Sequence, residues 1–495
     1  GFRQQAGFAC ETCRKRKARC NRVRPQCGLC AEIGVACVVI DQRPQRGPKK
    51  GQLDEMRVRI GEDQLYFDRL HDVLPMIHRR RYFSWADQEK PSPARTCLRS
   101  AMHTVAAAMS AQYHSLGDAL YQETCQLLES PFMRTLSGCG SSDGSWFAST
   151  SNNPGPRPSI AGDKIPIELI QAWLLLAYYD VVRSGEHQAM VTAGRAFRLV
   201  QLARLYDVDG GSGIEDMPSN PACSDGDHSD QNIPYIIAEE KRRTFWLAFS
   251  LDRFLCSRNE WPLTLQEEAV RTRLPASEAS FQNNQPTRVC FLSEAIAMST
   301  NPQCYSSTMI PLSPFAECIV LAALHGRCMT HRRRSMLNTR TDEAQEFWTR
   351  HDQLTLAVEK RAQILAQSPS LKLVNRDPMV LFTHMLAQKS VIYLCGTLEM
   401  AVLQRQQQQV GDRQLFASSY KWRAERAAAE IVGLAESARS LGCFSMHPFI
   451  ADPVACAANF FILRAQSTNA RGPGSVRSNS SAVAASKAAA AATAV

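Results

Sequence analysis

From about Leu65 to Gln466 apolar residues recur three and four positions apart, and clusters of Pro, Gly and Ser cut the pattern into blocks. Alternating apolar–polar runs are few, so the period is that of helices packed on a core. The clearest blocks are Ile165–Val182, Ala193–Leu205, Tyr235–Cys256, Phe315–His331, Glu343–Gln367, Pro378–Gln404 and Leu415–Leu441. They predict an all-α domain of a dozen or more helices over 81–466. Two stretches, 138–163 and 209–232, are rich in Gly, Ser, Pro, Asn and Asp and read as mobile insertions. Residues 467–495 read as a low-complexity Ser/Ala-rich tail. The most apolar block, Ile165–Val182, still contains Glu168, Gln171 and Asp180. No run therefore approaches the roughly eighteen apolar residues of a membrane helix. With no secretory-type start either, the chain reads as soluble and intracellular. Gly1 stands where a start methionine would, as in a fragment or an incomplete start.

Between 52 and 80 the period tightens to seven. Leu53, Ile60, Phe67 and Leu74 share one heptad position, and Met56, Leu70 and Ile77 the other. Asp63 interrupts the second series and Gly61 weakens a helix. About three heptads is the minimum for a coiled coil. The segment is thus either a short coil pairing two chains into a homodimer or the first helix of the domain that follows.

Charge changes the picture at the N-terminus. The 495 residues carry a net charge of +10, and residues 1–51 alone hold twelve Lys and Arg against three Asp and Glu. Charge confined to a tenth of the chain is the footprint of a surface for a polyanion. The stretch Arg43–Gly51 is basic and Pro/Gly-rich, and reads as a linker lying along a nucleic-acid backbone. Cysteine is just as uneven. Six of the 18 fall between Cys10 and Cys37, whereas the others are scattered without shared spacing, as small buried apolar groups are.

Cys10, Cys13 and Cys20 recur seventeen residues later as Cys27, Cys30 and Cys37. Thiolates at this spacing suit zinc, which takes four tetrahedral soft ligands. Six sulfurs give two Zn2+ ions four ligands each only if two sulfurs bridge, and the repeat suggests the leading ones, Cys10 and Cys27. The expected shells are Cys10, Cys13, Cys20 and Cys27, and Cys27, Cys30, Cys37 and Cys10. So short a segment cannot fold on burial alone, and metal supplies the missing stability. A disulfide knot needs an oxidising compartment, and a redox C-x2-C needs a strand–helix context that is absent here. The two halves differ in charge. Arg14, Lys15, Arg16, Lys17 and Arg19 lie between Cys13 and Cys20, whereas Ala31-Glu32-Ile33-Gly34-Val35-Ala36 lies between Cys30 and Cys37. Only the first half is built to meet phosphate.

The run C-x2-C-R-K-R-K-A-R-C-N, followed by R-P-Q-C-x2-C-x6-C, resembles the fungal binuclear zinc-cluster transcription regulators. The resemblance implies that Lys17, helped by Arg16, reads guanines of a CGG-type triplet in the major groove. It also implies that Arg14, Lys15 and Arg19 hold phosphates and that Pro25 shapes the loop between the halves. Tyr66-Phe67 through Pro75, His78 and Phe83 resembles the start of that family's fungal-specific regulatory domain. Glu240-Lys241-Arg242-Arg243-Thr244-Phe245-Trp246, followed by Asp252-Arg253, resembles its most recognisable helix, with Glu260-Trp261-Pro262 in place of the usual Gly-Arg-Pro. In this helix Phe245, Leu247, Phe249, Leu251 and Leu255 are expected to bury, and Arg242, Arg243 and Asp252 to form a polar network.

The fold class expected is a small metal-stabilised zinc-cluster module followed by a large all-α domain. The function expected is that of a nuclear, double-stranded-DNA-binding regulator of RNA polymerase II transcription, an activator of a fungal pathway gene set. Its partners would be DNA and the transcription machinery, with no membrane. A protein-binding zinc module is the competing class, and the cations between Cys13 and Cys20 argue against it. No enzyme is expected: Gly140-Ser141-Ser142-Asp143-Gly144 matches a hydrolase elbow but lacks the flanking strand and helix. His351 and His384 have no partners at ligand spacing, and Arg332-Arg333-Arg334, beside His331, reads as a helix end capping carbonyls and facing solvent.

Overall fold

The computed structural model describes residues 9–23, 25–38, 63–86, 88, 91–130, 165–210, 233–300, 311–337, 344–367, 377–404, 413–438, 441–442 and 445–469. Among them there is no strand. The chain divides into two compact units, Gly1–Glu55 and Met56–Val495. The first contains α1 (Glu11–Lys15) and α2 (Gly28–Ile33).

The second unit is built only of helices. It opens with α3 (Gln64–Arg69), α4 (Arg79–Ala86), α5 (Pro93–Ala108) and α6 (Gly117–Leu128). There follow α7 (Ile167–Arg183), α8 (Glu186–Leu202), α9 (Ile233–Asn259), α10 (Glu278–Gln282) and α11 (Leu292–Thr300). It closes with α12 (Pro314–Leu337), α13 (Ala344–Gln367), α14 (Pro378–Gln404), α15 (Arg413–Ala438) and α16 (Ala451–Asn469). All seven helical blocks expected from the sequence are found, with ends shifted by up to seven residues. At α5 the start is set locally: Ser92 accepts a hydrogen bond from the Arg95 N–H at 3.4 Å, and Pro93 opens the first turn.

Helix α7 packs against α5 and α8 and is buried from Glu168 through Asp180. Its buried Glu168, Gln171 and Asp180 each have a partner inside the protein. Glu168 lies 3.4 Å from Arg81, Gln171 donates to Met76 O and Thr244 Oγ1, and Asp180 accepts from Thr192 Oγ1 at 2.6 Å. Those partners make an almost wholly apolar helix a core element. No described helix is long and apolar enough to cross a membrane. Helix α14 is apolar all round for another reason: Phe382, Leu386 and Leu394 join the main core, while Leu381, Met385 and Ile392 join a second core with α15 and α16.

In α9, Phe245, Leu247, Phe249, Leu251 and Leu255 are buried as expected. Its polar groups form two clusters rather than one. Arg243, 1% exposed, pairs with Glu239 at 3.1 Å and Glu278 at 2.6 Å and donates to Pro75 O and Ala276 O. Arg242 pairs with Asp209 at 2.6 Å. Asp252 belongs elsewhere, accepting from the Thr264 and Leu265 N–H groups and from Arg253. It thereby fastens the chain just after the Trp261-Pro262 turn. The arginine run lies in the last two turns of α12, with Arg334 exposed in the final one. Arg332 stacks over Tyr393 and pairs with Glu260, and Arg333 donates to the Glu260 carbonyl, so these two half-buried arginines also cap the chain that leaves α9.

The heptad series divides. Phe67, Leu70, Leu74 and Ile77 are buried in the main core, and α3 ends at Arg69, so this half serves the domain itself. Leu53, Met56 and Ile60 lie outside the described residues, as do the linker 43–51, the insertion 138–163 with its hydrolase-like pentapeptide, 211–232 and 470–495.

Several histidines are buried neutral. His331 and His351 face each other with ring nitrogens 3.3 Å apart, and burial holds both down at about 4. His447 stacks on Phe382 at 3.8 Å, and burial holds it down at about 3. Unfolding returns each to about 6.5, so below that pH the unfolded chain takes up protons the fold refuses. Their contribution is complete above pH 6.5 and is lost as pH falls toward 4. Denaturation midpoints should be lower at pH 5 than at pH 7. His447→Phe should remove one part of that slope, worth about 2 kcal/mol at pH 5; parallel curves for variant and wild type would refute it.

Candidate metal centre

Each C-x2-C pair straddles a helix start: Cys10 stands just before α1 and Cys13 within it, while Cys27 is the N-cap of α2 and Cys30 lies inside. Five of the six cysteines are buried and Cys37 is half-buried, and all six are free thiols. The sulfurs gather into two sets of four, Cys10, Cys13, Cys20 and Cys27, and Cys10, Cys27, Cys30 and Cys37, each within 4.8 Å. Cys10 and Cys27 belong to both. Measured edges are 3.7 Å for Cys10–Cys27, 3.6 Å for Cys10–Cys30 and for Cys13–Cys27, and 4.0 Å for Cys10–Cys20. A disulfide would bring sulfurs to about 2 Å. A tetrahedron of sulfurs at zinc-bond length has edges of about 3.8 Å, so the donor set fits zinc.

Burial pushes the Cys30 thiol up to about 12 and raises Cys13 as well, whereas at Cys20 hydrogen bonding outweighs burial and brings the thiol down to about 7. Thiolates crowded this closely need a dication, which deprotonates its thiols and offsets their repulsion. Two sulfurs also accept backbone N–H groups, Cys10 from Cys13 at 3.5 Å and Cys37 from Cys27 at 3.4 Å.

The repeat in sequence is a repeat in backbone. Ala18 N donates to Cys13 O at 2.9 Å, and seventeen residues on Val35 N donates to Cys30 O at 3.1 Å. Just before these bonds stand Lys17, with φ 52°, and Gly34, with φ 69°. Both hold the left-handed conformation that ends a short helix, which glycine adopts freely and lysine only at a cost. Two residues not singled out from the sequence brace the loops. Asn21 accepts from the Gly28 N–H, and Gln26 Nε2 donates to Cys30 O and Val35 O. Single polar side chains in irregular loops leave no periodic signal. The asparagine directly after Cys20 is the one visible hint, as its counterpart after Cys37 is Val38.

Lys15, Arg16, Lys17 and Arg19 are all exposed. Lys15 makes an ion pair with Glu11 at 2.9 Å, weak at such exposure. Arg14 lies within α1, and its side chain is outside the described residues. The second half exposes Ala31, Glu32 and Ile33, with no cation.

Comparison with known proteins gives the family. Residues 8–47 match the fungal Zn(2)-Cys(6) binuclear cluster domain, and residues 64–330 match the fungal specific transcription factor domain. A transcription factor of Aspergillus terreus is 36% identical over 92% of this chain and 90% of its own length. The asperfuranone cluster transcription factor afoA of Emericella nidulans is 35% identical over 92% of this chain and 90% of its own. The citrinin biosynthesis transcriptional activator ctnR of Monascus purpureus is 32% identical over 92% of this chain and 86% of its own. No solved structure matches. The chain belongs to the fungal Zn(2)-Cys(6) transcription factors, and it is not an enzyme.

The shared left-handed position is testable. Lys17→Gly should hold metal at least as firmly as wild type, because glycine releases a strain of roughly 1 kcal/mol. Gly34→Lys should surrender metal to a chelator faster. Equal release rates for both variants would mean that neither position is conformationally constrained.

Proposed function

We propose that this protein is a nuclear activator of a fungal secondary-metabolite gene set that holds two zinc ions through Cys10, Cys13, Cys20, Cys27, Cys30 and Cys37 and reads a CGG-type triplet. The observation that carries the reading is the pair of four-sulfur sets sharing Cys10 and Cys27. Those two thiolates are the proposed bridges. When bound, the metal supplies fixed positive charge and a rigid fold rather than chemistry on a substrate.

Lys17 and Arg16 are the proposed base readers. The support is that Lys17 keeps an unfavourable backbone conformation at a position its repeat fills with glycine, while its side chain stays exposed. Strain retained at an exposed cation favours a recognition role over a packing one. Arg14, Lys15 and Arg19 are the proposed phosphate contacts. The helical domain, by its family, regulates and meets the transcription machinery for RNA polymerase II. Relatives named for asperfuranone and citrinin biosynthesis support the pathway. A homodimer through the heptad series could not use Phe67, Leu70, Leu74 and Ile77, which are committed to the core.

Native mass spectrometry of the full chain should find two zinc ions; one ion, or none with disulfides, would end the shared-sulfur proposal. Cys27→Ala should lose both ions, whereas Cys37→Ala should affect one more than the other. Base and phosphate contacts separate by salt titration on cognate and random DNA. Lys17→Ala should cost ~1–3 kcal/mol on the cognate site alone. Arg19→Ala should weaken both duplexes alike and reduce the salt slope by about one. Equal loss of selectivity from the two variants would reverse the assignment of the reader.

A further inference from the structure

We propose that Asn21 is a positioning residue for DNA reading: its side-chain amide ties the end of the cationic segment to the start of α2. The proposal rests on the DNA-reading function given above. Because the two triplets are related by a shift of seventeen residues, the bonds that close them can be compared directly. In one half the N–H of Glu11, just after Cys10, donates to the backbone carbonyl of Val38, just after Cys37, at 2.9 Å. In the other half the equivalent N–H is that of Gly28, just after Cys27. It donates to the residue just after Cys20, but to the side-chain Oδ1 of Asn21, at 3.0 Å.

The first closure uses an acceptor that every residue type offers. The second depends on one side chain. The chain turns sharply beyond it, with Arg22 at φ 61° and the Val23 N–H on the same Oδ1 at 3.4 Å. Gly28 leaves the amide its room, since a Cβ there would stand 2.8 Å from Asn21 Nδ2. The bond therefore spans the loop from Cys20 to Cys27 and pins the far end of the Arg16–Arg19 stretch. Asn21 carries no charge and is not a thiol, so its removal alters neither the metal-binding set nor the count of cations. What it removes is the angle at which the cations are presented.

The test compares zinc content of the full chain with its binding to two duplexes, one carrying a single CGG triplet and one with that triplet scrambled. Asn21→Ala should keep the wild-type zinc content while its preference for CGG falls about fivefold to tenfold, the usual weight of one hydrogen bond. Asn21→Asp keeps the acceptor and should restore the preference, its charge weakening both duplexes alike. Gly28→Ala should reproduce the loss by displacing the amide, and should add nothing in the Asn21→Ala background. Loss of zinc from Asn21→Ala would make the residue purely structural and overturn the proposal. An unchanged preference in Asn21→Ala, or no rescue by Asn21→Asp, would overturn it equally. A wild type without preference for CGG is a different failure, because it removes the DNA reading itself and the proposal with it.

Discussion

Six sulfurs gathered in two sets of four, each set within 4.8 Å and sharing Cys10 and Cys27, form the core of the first unit. Among the described residues, the partly buried apolar neighbours of the six are Ala9, Leu29 and Val35, far too little surface to fold some thirty residues. Everything functional in that unit follows from the constraint. The helices are short because each needs only to space a C-x2-C pair, and the loops are braced by polar side chains because no core is there to brace them. With the backbone fixed by sulfur, the outer positions are free to carry charge, and one half exposes Lys15, Arg16, Lys17 and Arg19 there while the other exposes no cation among its described residues.

The helical unit meets the opposite problem, a large core that contains many polar groups. It resolves this by pairing them across helices. Arg243 has four protein partners and a ring beneath it, Phe281 at 4.1 Å from its guanidinium. Asp252 caps the chain that leaves α9, and Lys389 reaches both Ser257 and Asp452. Removing one partner of such a set strands the other in a low-dielectric interior, which is costly. These clusters fix the register of neighbouring helices, as apolar contacts alone would tolerate sliding.

Much of this was legible in the sequence, for definite reasons. Offsets between cysteines are read directly, and a seventeen-residue repeat becomes a structural repeat because the sulfurs force it. Long amphipathic blocks such as Pro378–Gln404 and Tyr235–Cys256 announce themselves by period. The limits are equally physical. Spacing of three and four residues is common to coils and to core helices, so Phe67, Leu70, Leu74 and Ile77 could not be assigned until their burial was seen. Arg242, Arg243 and Asp252 lie on one helix, yet their partners Asp209, Glu278 and Leu265 are distant in sequence, and no local pattern brings them together. The left-handed backbone of Lys17 and the loop bond of Asn21 are features that side-chain type does not reveal.

We propose that two metal ions share Cys10 and Cys27, and X-ray absorption at the zinc edge of the full chain distinguishes this from separate sites. Shared thiolates should give a first shell of four sulfurs per zinc together with a second zinc as a near scatterer. A four-sulfur shell without metal–metal scattering, or a shell containing nitrogen or oxygen, would contradict it.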